Sequence, residues 1–301
     1  MNNERIIKLL LFFLFSFLFT DCVRQEKNAH NENTLKDNPL IAVSILPQAW
    51  FVNRIGGEQV TVIVLAGQGQ NPHNYEPNPK QISALAQAGA WILSGTEFEI
   101  SFRPKIEKLF PNLPVIDGTC GVTFRKSEEH DDEDGHEHDS ADRHTWLGSE
   151  PAKILAAHIR DTFFAIDPEN AYRYEENYQV LVQEIDAEFA ALRRDLAPLK
   201  GSNVFVYHPS FGYFLDEFGI RQEAVETGGK SPGPRDLNRL ITLAKQEKPA
   251  AIFVQAQFPV TAARTVANAV GAKLISLDPL AADWLANIRL MGEALKINNK
   301  E

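Results

Sequence analysis

Ile41-Ala42-Val43-Ser44-Ile45-Leu46-Pro47 decides the reading of this chain. Six apolar or small residues, β-branched at alternate positions and stopped by a proline, predict a short buried strand over 41–46. The proline then opens a predicted helix that Gly56-Gly57 closes, the preferred placement of these two residues at helix ends. Outward from this unit, 60–65 reads as a second strand running into a Gly-rich loop with Asn71-Pro72-His73-Asn74-Tyr75-Glu76-Pro77. Asn78-Pro79 starts a helix through Ile82 and Leu85, and 90–93 is a third strand. Further on, the same order returns: a strand over 204–207, the turn His208-Pro209, a helix to Gly219, a helix through Leu237, Leu240 and Ile241, and a strand over 251–254. A helix over 262–270 and a strand over 272–277 ending at Asp278-Pro279 follow. Strands alternating with helices at these lengths mean an α/β fold with parallel sheets. The two runs predict two similar lobes, each a parallel sheet flanked by helices: residues 40–166 and 201–301.

Between them, 167–200 predicts one long rigid connecting helix. Asp167-Pro168-Glu169 supplies a cap, a proline and a first-turn acid. Tyr174, Tyr178, Leu181, Ile185, Phe189, Leu192 and Leu196 then recur in steps of three and four, the stripe of a packed helix. Thirty residues at 1.5 Å each reach about 45 Å, enough to run along both lobes. A single helical connection predicts little relative movement of the lobes.

The first residues set the compartment. Arg5 and Lys8 accompany an apolar run to Phe19, too short to span a bilayer and laid out as a signal peptide over 1–21. Leu18-Phe19-Thr20-Asp21-Cys22 looks like a lipoprotein cleavage site at which Cys22 becomes the membrane anchor. A polar stretch over 22–39 reads as a flexible tether. The expected location is periplasmic or extracytoplasmic. Two cysteines give no disulfide framework.

One segment departs from the rest. Residues 128–139 hold eight acids, three histidines (His130, His136, His138) and no Lys or Arg. They supply −8 of the formal net charge of −10, so the remainder is nearly balanced and nothing basic points to nucleic acid. The loop over 127–142 cannot bury apolar surface. A solvated acidic loop and a weak accessory metal loop both fit it, since His and carboxylate are ligands of divalent metals. Outside it, His158 falls among Ile154, Leu155 and Ile159 and reads as a satisfied helix-face histidine. His73, His144 and His208 lie in loops or at strand ends, as does Asp278. In open α/β sheets ligands bind beyond the carboxyl ends of strands. Three imidazoles and a carboxylate would suit Zn²⁺.

Four motifs carry a resemblance to a known family. Pro72-His73-Asn74-Tyr75-Glu76-Pro77, Asp142-Arg143-His144-Thr145-Trp146-Leu147, His208-Pro209-Ser210-Phe211-Gly212-Tyr213-Phe214 and Leu277-Asp278-Pro279-Leu280 resemble, in order, those of ABC-transporter substrate-binding proteins for zinc and manganese. The high-affinity zinc-uptake periplasmic binding proteins are the nearest group. The resemblance covers about residue 41 to the end, and implies metal ligands at His73, His144, His208 and Asp278. It implies a monomeric, non-enzymatic receptor that binds Zn²⁺ (or Mn²⁺) in the interlobe cleft and delivers it to an ABC permease and its ATPase at the inner membrane. A manganese receptor of the same family is the alternative. A secreted zinc-dependent hydrolase is the rival from another class, and a metal buffer or surface adhesin using only the loop leaves three motifs unexplained. Arg143 stands where the family has proline, and Gln255 where many members have glutamate; little effect on binding is expected from Gln255.

Overall fold

A computed structural model describes residues 38–126, 141–226 and 232–299. The expected signal peptide, all but the end of the tether, and His130, His136 and His138 lie outside the described residues. No described helix is long and apolar enough to cross a membrane.

The first lobe holds β1 (Leu40–Ile45), β2 (Thr61–Ala66), β3 (Ala90–Leu93) and β4 (Val115–Asp117) in the order β2-β1-β3-β4. The second holds β5 (Asn203–Val206), β6 (Arg221–Ala224), β7 (Ala251–Val254) and β8 (Lys273–Ser276) in the order β6-β5-β7-β8. Every pairing in both sheets is parallel. The two sheets share one topology, which accounts for the recurrence of strand, proline and helix. β1 and β3 are central and buried on both faces, hence their continuous apolar runs.

Helices α1 (Leu46–Gly56), α2 (Pro79–Leu85), α3 (Glu97–Leu109) and α4 (Ser149–Ile166) flank the first sheet. The connector is α5 (Ala171–Asp195), preceded and followed by 3-10 turns at Pro168–Asn170 and Ala197–Leu199. Its 25 residues span about 38 Å. Helices α6 (Gly212–Asp216), α7 (Pro234–Glu247), α8 (Thr261–Val270) and α9 (Trp284–Leu295) belong to the second lobe. α3, β4, β6 and α9 are elements the sequence reading left out, and α6 is only five residues long.

α5 buries Tyr174, Leu181, Ile185, Phe189 and Leu192, five members of the predicted stripe. It packs on α1 and α4 of the first lobe and on α9 of the second. Phe189 lies 6.4 Å from the Trp284 ring, and Trp284 in turn lies 5.6 Å from Trp50 of α1. One apolar core therefore runs from β1 through α5 to Val204, Val206 and Phe253. In β5 the side chains alternate, with Val204 and Val206 in that shared core and Phe205 and Tyr207 in a second core under α7 and α8. Separating the lobes would expose this common core, so the geometry between them is set by apolar burial. Both sheets end in that fixed geometry.

Candidate metal centre

The residues of interest all lie beyond the carboxyl ends of the strands, in loops or, for Glu97, at the first residue of α3. His73 lies after β2, Glu97 after β3 and His144 after β4. His208 follows β5, Glu226 β6, Gln257 β7 and Asp278 β8.

Each loop is fixed by bonds its own sequence dictates. Asn71 accepts the His73 amide through its side chain, at 3.0 Å. Tyr75 is buried against Phe98 and donates to Leu65 O at 2.6 Å, which pins the loop to β2. Asn78 caps α2 by accepting from the amides of Lys80 and Gln81. The second motif closes on the third and fourth. Trp146 Nε1 donates to Pro279 O at 2.8 Å, and Tyr213 Oη donates to Asp142 O at 3.0 Å. Arg125 bridges Asp142 (2.8 Å) and Asp216 (3.0 Å), and a Cβ at Gly212 would sit 1.8 Å from its Nη1. Any side chain at 212 would have to push that guanidinium out of its place between the two aspartates.

His73, His144 and His208 meet in the cleft. Nε2 of His208 is 2.9 Å from Nε2 of His73 and 3.2 Å from Nε2 of His144. All three candidate ligand atoms lie within 4.8 Å of one another. The opposite ring nitrogen of each faces a carboxylate: His73 Nδ1 to Glu97 at 3.1 Å, His144 Nδ1 to Asp142 at 2.9 Å, His208 Nδ1 to Glu226 at 2.5 Å. An ionised carboxylate can only accept, so each Nδ1 carries the hydrogen and each Nε2 turns a lone pair inward. The His208 lone pair, 2.9 and 3.2 Å from those of His73 and His144, is repelled by both unless a cation lies between them. Tetrahedral Zn–N bonds of 2.0–2.1 Å put neighbouring nitrogens about 3.3 Å apart, close to the two separations from His208. Carboxylate behind imidazole is also how metal-ligating histidines are oriented.

Burial grades the three. The side chains of His73, His144 and His208 are 31%, 13% and 5% exposed, so the approach from solvent is over His73. Burial pushes the His208 imidazole down to about 4, against the pull of Glu226, which keeps it neutral at ordinary pH. Burial alone would raise the Glu97 carboxyl, but its bond to His73 and the nearby imidazoles outweigh that and hold it at about 2. Asp142 is lowered for the same reason, with burial overcome by His144 and Arg125.

Asp278 stands apart. Its Oδ1 accepts from Gln257 Nε2 and from the Leu280 amide, both at 2.9 Å, and it is not one of the three groups that converge. Arg143 lines the cleft and donates to Gly95 O at 3.1 Å. Gln255 is wholly buried and bonds both ends of His208: its Oε1 accepts the His208 amide (3.2 Å) and its Nε2 donates to the His208 carbonyl (2.7 Å). Gln255 is thus no ligand in this arrangement but holds the His208 backbone from behind. His158 is satisfied by Cys120 O at 2.8 Å on the helix face, outside the cleft. Glu97, Glu226 and Gln257 escaped the sequence reading altogether; the available signal was a polar residue directly beyond a strand end.

The cleft, of about 380 Å³, is walled by Pro72, Trp146, Phe258 and Leu280 around these polar groups. Phe258 stacks on the His208 ring with centroids 4.6 Å apart.

Comparisons with known proteins agree with this architecture. The chain is 26% identical over 262 residues to "High-affinity zinc uptake system protein ZnuA" of Yersinia pestis, covering 80% of this chain and 82% of that protein. It is 25% identical over 283 residues to "Zinc-binding lipoprotein AdcA" of Streptococcus pneumoniae, covering 91% of this chain. The match spans only 55% of that lipoprotein, about half its length. A solved structure of ZnuA superposes with a TM-score of 0.82 at 34% identity, covering 88% of this chain and 100% of that one. Residues 41–296 match the family described as "Zinc-uptake complex component A periplasmic". With its paired parallel sheets, its connecting helix and its cleft of three imidazoles, the chain belongs to this ZnuA family of periplasmic zinc-uptake proteins.

Proposed function

We infer that this protein is the extracytoplasmic solute-binding component of an ABC importer, and that Zn²⁺ is what it captures between the lobes. His73, His144 and His208 are the nitrogen ligands and Asp278 the oxygen ligand of this reading. The observation that carries it is the convergence of three Nε2 atoms, each backed by a carboxylate. For Asp278 to join them its carboxylate must come nearer, and its Oδ2, which makes no hydrogen bond to the described residues, is the oxygen to do so. Four protein ligands close a tetrahedral site, so binding and release suffice and no reaction need occur. A membrane permease and its ATPase are the recipients. Three imidazoles favour zinc over manganese, a harder ion that prefers oxygen.

Elemental analysis of protein purified without added metal, followed by competition titration, tests the reading. One zinc per chain is expected, with a modest excess of manganese failing to displace it and His208→Glu narrowing that preference. Manganese competing on equal terms in the unmodified protein would overturn the zinc assignment. Hydrolysis of ester or peptide substrates by the zinc-loaded protein would overturn the receptor reading.

A further inference from the structure

The turn after β7 organises the second lobe's half of the cleft. Gln255 grips the His208 backbone, Phe258 stacks on the His208 ring, and between them Gln257 reaches Asp278. Gln257 is unusual in one respect. Its Oε1 is buried and, among the described residues, has no hydrogen-bond partner. Turning the amide over would not help, because Oε1 would then face the carboxylate oxygen it cannot bond. Leaving a buried carbonyl unpaired costs about 1–3 kcal/mol. The fold bears that cost to keep Nε2 on Asp278.

That bond has a consequence for coordination. Both donors to the Asp278 carboxylate, Gln257 Nε2 and the Leu280 amide, fall on Oδ1. A carboxylate with one oxygen committed twice can offer a metal only its other oxygen. Zinc at a structural or transport site takes four ligands in a tetrahedron, which one carboxylate oxygen completes. Manganese and other harder ions favour more oxygen atoms and a higher coordination number, which a carboxylate binding through both oxygens would supply. We propose that Gln257 is a specificity-determining positioning residue: it holds Asp278 as a one-oxygen ligand and so tilts the cleft toward four-coordinate zinc. The proposal rests on the zinc-receptor reading above, with Asp278 as the fourth ligand.

The test measures zinc and manganese affinities side by side, by competition against a chromophoric chelator. Gln257→Met removes the donor and the unpaired carbonyl together at similar volume. Gln257→Glu keeps the shape but cannot donate when ionised. Outer-shell partners of metal ligands change affinity by about 10–100-fold, so each variant should narrow the zinc-to-manganese ratio by about tenfold or more. A merely structural role predicts otherwise, since the thermal midpoint of metal-free Gln257→Met should be unchanged or raised once the unpaired carbonyl is gone. His208→Ala is the control for the site. If His208→Ala keeps a tight zinc site, the receptor reading fails. If it loses that site while both Gln257 variants keep the parent ratio, the role of Gln257 alone is overturned.

Discussion

Glu226 is the carboxylate whose loss zinc affinity should feel most. Its side chain is 2% exposed and its partner His208 5% exposed, so water cannot replace either in the bond between them. In Glu226→Leu the Nδ1–H of His208 is left buried without an acceptor, a penalty of about 1–3 kcal/mol. At 1.4 kcal/mol per decade this is a fall in zinc affinity of about 5- to 150-fold. Glu226→Gln keeps an acceptor but not the charge, and the difference between charged and neutral hydrogen bonds is about 1 kcal/mol. That variant should lose about fivefold. Glu97 gives the contrast: with 38% of its side chain exposed and His73 at 31%, water takes its place, and Glu97→Gln should cost less than either change at Glu226. Chelator competition at one pH and ionic strength gives the affinities, and the metal-free thermal midpoints separate lost ligation from lost fold. An affinity unchanged in Glu226→Leu, or a larger loss in Glu97→Gln than in Glu226→Leu, would refute the reasoning.

Acid should weaken the metal-free fold before it protonates the buried imidazole. His208 titrates near 6.5 in the unfolded chain and near 4 in the folded one, so the folded state holds fewer protons in that window and loses stability as pH falls through it. Thermal midpoints of chelator-treated protein between pH 7 and 4.5 should therefore drop, and His208→Leu should flatten the slope; parallel slopes would count against it. Gln255→Leu leaves the buried His208 amide unpaired, its carbonyl still accepting from the Ser210 amide, and should lower unfolding free energy by about 1–3 kcal/mol along with zinc affinity, read by denaturant titration. Excising 128–139 removes three histidines but none of the converging ones. Lys126 and Ala141 pair as an antiparallel bridge, so a short glycine linker can rejoin the chain. Calorimetry should show one tight zinc site kept and weaker sites lost; loss of the tight site would place the ligands in the excised segment.

Much of this protein was legible in its sequence because local patterns are local physics. β1, β3 and β7 are central strands buried on both faces, and they announce themselves as apolar runs. α5 shows its buried stripe in steps of three and four. His73, His144 and His208 stand out because a histidine at the end of a strand has no packing role to explain it. The elements that stayed hidden have equally plain reasons. β4 and β6 are edge strands, and Arg-Gln-Glu-Ala in β6 has no apolar run because an edge is kept short and polar. α3 carries Pro104 in its interior and buries only Phe98, Glu99 and Ile106, so its periodicity is faint. α9 does carry a stripe, with Trp284, Ile288, Met291 and Leu295 buried at steps of three and four, and it was legible to the same reading that found α5.

What only the tertiary structure decided is who stands behind each candidate ligand. Glu97 and Glu226 look like ordinary surface acids in the sequence, since a carboxylate is rarely buried unless paired. Their partners are 24 and 18 residues away, brought near by the end-on arrangement of parallel strands. Likewise Gln257 meets Asp278 across neighbouring strands β7 and β8, and Oδ1 rather than Oδ2 is committed there. Ligand identity is a property of residue type, written in the chain. Ligand orientation is a property of non-local packing, and a sequence read one residue after another does not contain the distances that set it.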